Sequence, residues 1–394
     1  MTGAAFRAAT AIAGIGWTAF GRDSGRTTTA LATEASLRAI DDAGLTSADI
    51  DGVVTYCYGW APDTMWPEEL VAALGLSRCD YQLFDNLGGA AACSAVLSAA
   101  MAVYAGLCEN VLVYRAMNGR SERPALLPPP DQARGKRQWG VPFGALHAAA
   151  NLGPAVTAYM QRYGITNRDF AGLAVLQREH AVLNTKAMMR DPLTVAEHQE
   201  SPWIVEPFRR MDCCLTSDGA AALVVTSSER ARDLRHGGVS ILAGLGGAVP
   251  ATDHRTHAAA AAPALYRAAG ITVDELDFAQ LYDAFTGTCL QHVEDFGLCE
   301  VGAAPAWIAD GQAGLDGATP LNTHGGLLSE AYLQGLGHVV EAVQQLRTQG
   351  VRDDLCAGAH DHDRGRCRQV RDAEVGLVCG QGGDSSLVLR KAFG

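Results

Sequence analysis

The chain has 394 residues, 48% of them apolar and 19% charged, with 44 glycines and 15 prolines. That much apolar surface builds a large core and excludes a disordered or fibrous protein. The formal net charge of -12 argues against a general nucleic-acid partner, because phosphate binding needs a basic surface. The longest apolar runs, such as Ala90–Leu107, carry small and polar residues throughout and fall short of the roughly 20 strongly apolar residues of a membrane span. At roughly 100–200 residues per domain the length predicts two domains or one large duplicated one. Eleven cysteines, an odd count with no regular framework, read as reduced thiols in a cytoplasmic protein.

In chain order, helical periods alternate with short apolar runs, the pattern of an α/β protein. Ala11–Gly16 reads as a first strand entering a glycine turn rather than as a signal peptide. Thr27–Ala43 places Ala32, Ala35, Ala39, Ile40 and Ala43 on one helical face and stops at Gly44. Ile50–Thr55 reads as a strand, Leu83–Asn86 leads into a turn at Gly88-Gly89, and Ala90–Ala105 reads as a small-residue helix ended by Gly106. Val111–Tyr114, apolar throughout, fits a strand of a sheet covered on both faces. Arg120–Val141 mixes four prolines with Arg and Lys, the mark of a functional insertion. Ala220–Val225 is the next strand, then a helix near Ala258–Ala269, a helix over Glu330–Arg347 and a last strand Val375–Cys379. His360-Asp361-His362-Asp363 with Cys367 has metal-ligand residue types, but its Asp/Arg/Gly-rich surroundings read as an exposed loop, so no metal site is expected.

The two halves echo each other. Asp42–Asp51 and Ala268–Asp277 each close a helix with glycine, cross an acidic turn and enter a strand. Gly88-Gly89 before a helix is matched by Gly325-Gly326 before another. These echoes predict a duplication, with a first half over 1–250, an insertion at about 118–212 and a second half over 251–394.

Five segments in order carry a family resemblance: Ile12–Gly16, Asp212–Ala222, Leu281–Thr286, Asn322–Gly326 and Cys379–Gly383. Together they resemble the thiolase superfamily, nearest its sterol-carrier-protein (lipid-transfer-protein) branch. The resemblance implies an α/β thiolase fold: two βαβαβαββ halves packed into five αβαβα layers, with a loop domain inserted in the first. Family thiolases start the helix after the third strand with a nucleophilic Cys, where the helix dipole favours thiolate. Here that position falls at Gly88 or Gly89, and Cys93 lies about one turn further in. The family's Gly-His-Pro histidine is replaced by Tyr332, and its Asn-Glu-Ala-Phe-type motif has become Tyr282-Asp283-Ala284-Phe285.

Paired tyrosines with Gly-Gly in place of Cys resemble the thiolase-like aldolases of steroid side-chain degradation. The resemblance implies retro-aldol cleavage of a β-hydroxyacyl-CoA to a ketone and a shorter acyl-CoA such as propionyl-CoA. That reaction needs a base for the hydroxyl proton, a cavity for the thioester enolate and an acid for its carbon, but no nucleophile. Either Tyr282 or Tyr332 takes the base role and the other the acid role. Asp283 or His324 supplies a relay, unless His324 only caps its turn. Cys379 stands where the family has a second catalytic Cys, and two readings are open, an acid or a retained passenger. Gly88, Gly89, Gly325 and Gly382 are candidate oxyanion or substrate-binding positions, because glycine permits close backbone approach. Arg120, Arg123, Arg134, Lys136 and Arg137 form a basic cluster suited to CoA phosphates. The competing readings are an acyltransferase or thiolase using Cys93 or Cys379, and a non-catalytic subunit.

The resemblance also implies a homodimer core and a heterotetramer with a small OB-fold, zinc-ribbon partner. This sequence holds no paired Cys-x-x-Cys pattern, so any zinc belongs to that partner chain, and no cofactor is expected beyond the CoA thioester substrate.

Overall fold

Strand order shows how the repeat is built. In the computed structural model, which describes residues 6–58, 64–119, 121, 135, 137–247, 255–347, 355–356 and 362–391, the strands are β1 (Thr10–Trp17), β2 (Gly52–Tyr56), β3 (Tyr81–Asp85), β4 (Asn110–Asn118), β5 (Trp203–Val205), β6 (Phe208–Arg209), β7 (Asp218–Ser227), β8 (Val239–Gly246), β9 (Phe278–Gln280), β10 (Val375–Cys379) and β11 (Ser385–Lys391). Nine of them form one sheet in the order β3-β2-β4-β7-β1-β8-β11-β10-β9, while β5 and β6 make a separate ribbon. Read outward from the centre, β1-β7-β4-β2-β3 is mirrored by β8-β11-β10-β9 and a bridge from Ala279 to Leu321. Parallel pairs recur at the same places: β2 with β3 and β4, β9 with β10 and with Leu321. The series meet where β1 and β8 pair antiparallel through Ala11–Ser240 and Ile12–Val239. By strand order the second series opens with β8 at Val239, ahead of the boundary expected at 250.

Helices complete the layers. Thr28–Asp42 covers β1, β4 and β7 on one outer face, and Ala258–Ala269 covers β8 and β11 on the other. Between them, Ala92–Tyr104 and Leu336–Leu346 touch each other and pack on strands of both series, so they form the middle layer. Every residue of Leu336–Leu346 is buried. Period-two alternation divides the strands between these layers: Val53 and Leu112 face the outer helix, Val54 and Val113 the middle ones. Likewise Leu377 and Val388 face outward with Leu265, while Val378 and Leu387 face inward with Val96 and Val339.

Three expectations change. The helix predicted from Ala90 is a 3-10 turn over Gly88–Ala91 followed by Ala92–Tyr104. The helix predicted from Glu330 begins only at Leu336, because Gln334 (φ 50°) and Gly335 (φ 94°) are left-handed and stop it propagating backward. The cysteines are not all free thiols: Cys356 and Cys367 form a disulfide, their segments held together by the bond from Arg368 N–H to Leu355 O. Among the described residues no helix is long and apolar enough to cross a membrane.

Candidate active site

Tyr282 follows β9, at the strand end that meets the middle layer. Its backbone N–H donates to Cys379 Sγ at 3.4 Å, and its carbonyl accepts from His292 Nδ1 at 3.0 Å, which fixes the residue on both sides. The ring is buried and its hydroxyl fills the space beside Gly89, so that a Cβ built on Gly89 would overlap Tyr282 Oη. Gly89 lies in the turn that opens the middle helix Ala92–Tyr104, where early N–H groups have no partner within the helix. The phenol therefore lies against the turn to which the family resemblance points for a nucleophile.

Tyr282 Oη lies 3.2 Å from Tyr332 Oη, a hydrogen bond between the two phenols. Tyr332 is half-buried and is held by residues of the first series. Its N–H donates to Ser217 Oγ at 2.8 Å, and that hydroxyl donates back to the Tyr332 carbonyl at 3.1 Å. Two residues on, Gln334 Oε1 accepts from Arg115 Nε at 2.7 Å, and Gln334 O accepts from the Tyr56 hydroxyl at 3.1 Å. Burial pushes both phenols above the ordinary tyrosine value. For Tyr332 burial is reinforced by Cys214, while a hydrogen bond from Tyr282 and the charge of Arg115 pull the other way. Both rings are neutral at rest, hydrogen-bonded, and able to pass one proton between them.

Asp283 is wholly buried and fully employed. It accepts from Leu327 N–H at 2.9 Å and Leu328 N–H at 3.3 Å, capping the short helix Gly326–Ser329, and from His338 Nε2 at 3.0 Å. His338 Nδ1 is 3.1 Å from His324 Nε2, so Asp283 sets the tautomer of an edge-on, hydrogen-bonded imidazole pair. Burial, then the neighbouring His338, holds His324 neutral well below the usual histidine value. Among the described residues no hydrogen bond joins Asp283 or His324 to either phenol; they brace the loop that carries Tyr332.

The thiols are poor nucleophiles here. Cys93 is buried, with Sγ 3.6 Å from Val378 O, and burial lifts it well above the ordinary thiol value. Cys379 is buried and pushed up to about 12 by burial. No cationic side chain acts on either to favour a thiolate.

The other expected positions divide. Gly382 lies in the turn Gln381–Gly383, whose flank is stitched to the Gly89 turn: Cys93 N–H donates to Ser385 Oγ at 3.2 Å, and Ser385 Oγ donates to Ala90 O at 2.5 Å. Gly88 backs onto another phenol, since a Cβ there would overlap the Tyr58 ring. Gly325 is elsewhere: a Cβ on it would come within 2.6 Å of Ala181 Cβ, so it admits the helix Asn167–Val182 rather than a substrate. Arg120, Arg123, Arg134 and Lys136 lie outside the described residues, and Arg137 begins the short helix Arg137–Gly140.

Several neighbours of the phenol pair escaped sequence reading: Tyr56, Tyr58, Arg115, Ser217, Gln334 and His338. One signal was available for Arg115, a lone charge within the apolar strand Asn110–Asn118.

Residues 249–388 match the family model described as thiolase C-terminal domain-like. The chain is 38% identical over 357 residues to the 17-hydroxy-3-oxo-4-pregnene-20-carboxyl-CoA lyase of Mycobacterium tuberculosis, covering 86% of this chain and 91% of that one. It is 39% identical over 361 residues to the steroid side-chain-cleaving aldolase of Thermomonospora curvata, covering 86% and 90%. The solved structure of the Ltp2-ChsH2(DUF35) aldolase superposes with a TM-score of 0.88 at 37% identity, covering 99% of this chain and 100% of that one.

Proposed function

The chain belongs to the thiolase superfamily, among its steroid side-chain-cleaving aldolases, and from that premise we propose that it cleaves a steroidal β-hydroxyacyl-CoA into a ketone and a short acyl-CoA such as propionyl-CoA. It is a carbon–carbon lyase of thiolase-like fold. One phenol of the Tyr282–Tyr332 pair accepts the proton of the β-hydroxyl as the C–O double bond forms, while it passes its own proton along their hydrogen bond to the second phenol. The Cα–Cβ electron pair then passes into the thioester as an enolate, and the second phenol returns a proton to the α-carbon. The proton lost by oxygen equals the proton gained by carbon, so atoms balance without a co-reactant. N–H groups of the Gly89 and Gly382 turns are the donors we assign to the enolate oxygen. Arg120, Arg123, Lys136 and Arg137 are the residues we assign to the CoA phosphates.

The observation that carries this reading is the Tyr282 hydroxyl seated over Gly89, in the place of a nucleophilic thiol. We further infer a homodimer core joined to a small OB-fold, zinc-ribbon chain, supported by the likeness to the Ltp2-ChsH2(DUF35) assembly. The test is incubation with a tertiary β-hydroxyacyl-CoA, with and without that partner, while ketone and short acyl-CoA release are followed. Turnover in the presence of the partner is expected. Acyl-CoA leaving an acyl mass on a single cysteine peptide, with no ketone released, would overturn it.

A further inference from the structure

We propose that Arg115 is the positioning residue that makes Tyr332, rather than Tyr282, the proton acceptor of the phenol pair. The inference rests on the acid–base reading of that pair and goes beyond it by assigning the two roles.

Arg115 is 2% exposed, in the middle of β4. A guanidinium keeps its charge under any ordinary condition, and burying it costs several kcal/mol unless the surroundings use that charge. Its Nε donates to Gln334 Oε1 at 2.7 Å, and another of its N–H groups donates to Ala116 O. Gln334 holds a left-handed backbone at φ 50° in the loop that carries Tyr332, and its carbonyl is pinned by the Tyr56 hydroxyl. The cation is thus fixed relative to Tyr332 by a side-chain bond and a strained turn.

The groups that face Tyr332 are Arg115 and Tyr56 on neighbouring strands, Tyr58 beyond β2, Cys214 ahead of β7, and Tyr282 beyond β9. Among them Arg115 is the cation, and it acts to favour the Tyr332 phenolate. Around Tyr282 the acting groups are Tyr332, Cys214 and Tyr58, all of which oppose ionisation. Exposure agrees with this division. Tyr282 is enclosed against Gly89, suited to donating its proton, whereas Tyr332 is only half-buried. A hydrogen bond from Tyr282 would further stabilise a Tyr332 phenolate.

The experiment uses the full chain with its partner. Arg115→Gln should shift the rising limb of the kcat–pH profile upward by about one unit and lower kcat at neutral pH about tenfold. Arg115→Lys, which keeps the charge, should restore most of both. In parallel, fluorotyrosine, more acidic than tyrosine, is incorporated and each phenol is followed by fluorine NMR, assigned with Tyr282→Phe and Tyr332→Phe. Tyr332 should ionise at lower pH than Tyr282, and Arg115→Gln should abolish that order. An even loss of kcat with the limb unmoved, or Tyr282 ionising first, overturns the proposal. Absence of ketone release from the wild type would sink the aldolase reading alone, because the NMR order is read without turnover. If Arg115→Gln fails to fold, the wild-type order and Arg115→Lys still decide.

Discussion

The hydroxyl of Tyr282 occupies the volume that a side chain on Gly89 would need. Gly89→Ala should therefore displace the phenol, lowering cleavage by about 10²-fold or more and stability by about 1–3 kcal/mol through overpacking. Steady-state kinetics and a urea melt check both effects. An alanine variant with full activity would show that the ring need not sit there.

Removing either phenolic oxygen should leave the fold intact and the chemistry impaired. Tyr282→Phe and Tyr332→Phe are each expected to lose about 10²- to 10⁴-fold in kcat. Substrate binding, followed separately by titration calorimetry, should change little. Wild-type turnover by the double variant would mean that the proton is handled elsewhere.

Thiol chemistry should be dispensable. With Cys379 pushed up to about 12 and Cys93 pushed up by burial, both stay protonated at physiological pH. Cys93→Ala and Cys379→Ser, the latter keeping an acceptor for the Tyr282 N–H, should retain most activity. Intact-mass spectrometry after incubation with acyl-CoA should show no covalent adduct.

Two buried histidines predict an acid-sensitive fold. Burial lowers His180 and His292 to about 4 each, below the value near 6.5 of an unfolded chain. The unfolded state thus binds more protons between those limits, so their stability contribution is complete above about pH 6.5 and declines as pH falls toward 4. Roughly 3 kcal/mol per histidine is at stake. Urea midpoints measured across that window should drop steadily, and a flat profile would contradict the buried neutral state.

Asp283 should behave as a brace. Asp283→Asn keeps one acceptor but loses another among the Leu327, Leu328 and His338 contacts, at a cost of about 1–3 kcal/mol. The loop to Tyr332 loosens with it, so kcat should fall without a shift in the kcat–pH profile. A shifted profile would instead give Asp283 a direct part in proton transfer.

The layers were legible because each series repeats the same helix stops and apolar strands: Val375–Cys379 and Ala258–Ala269 fall where expected. The meeting of Gly89, Tyr282 and Tyr332 was legible too, since each stands at a motif position and the three come together in space. What stayed hidden depends on long-range contact. Ser217, Tyr56 and Arg115 reach Tyr332 or its loop across 115, 278 and 219 residues, and no local pattern encodes such pairings. The left-handed Gln334 was invisible for a related reason, because a non-glycine residue in that conformation is held by its neighbours and not by its own preference. Gly325 misled because a glycine needed for helix packing looks, in a sequence, like one needed for a ligand.

Ser217, Tyr56 and Arg115 belong to one copy of the repeat, while the residue whose loop they grip belongs to the other. Neither copy by itself holds both the ring and its grip. The duplicated architecture has become a division of labour, one unit furnishing the clamp and its twin the ring that it holds.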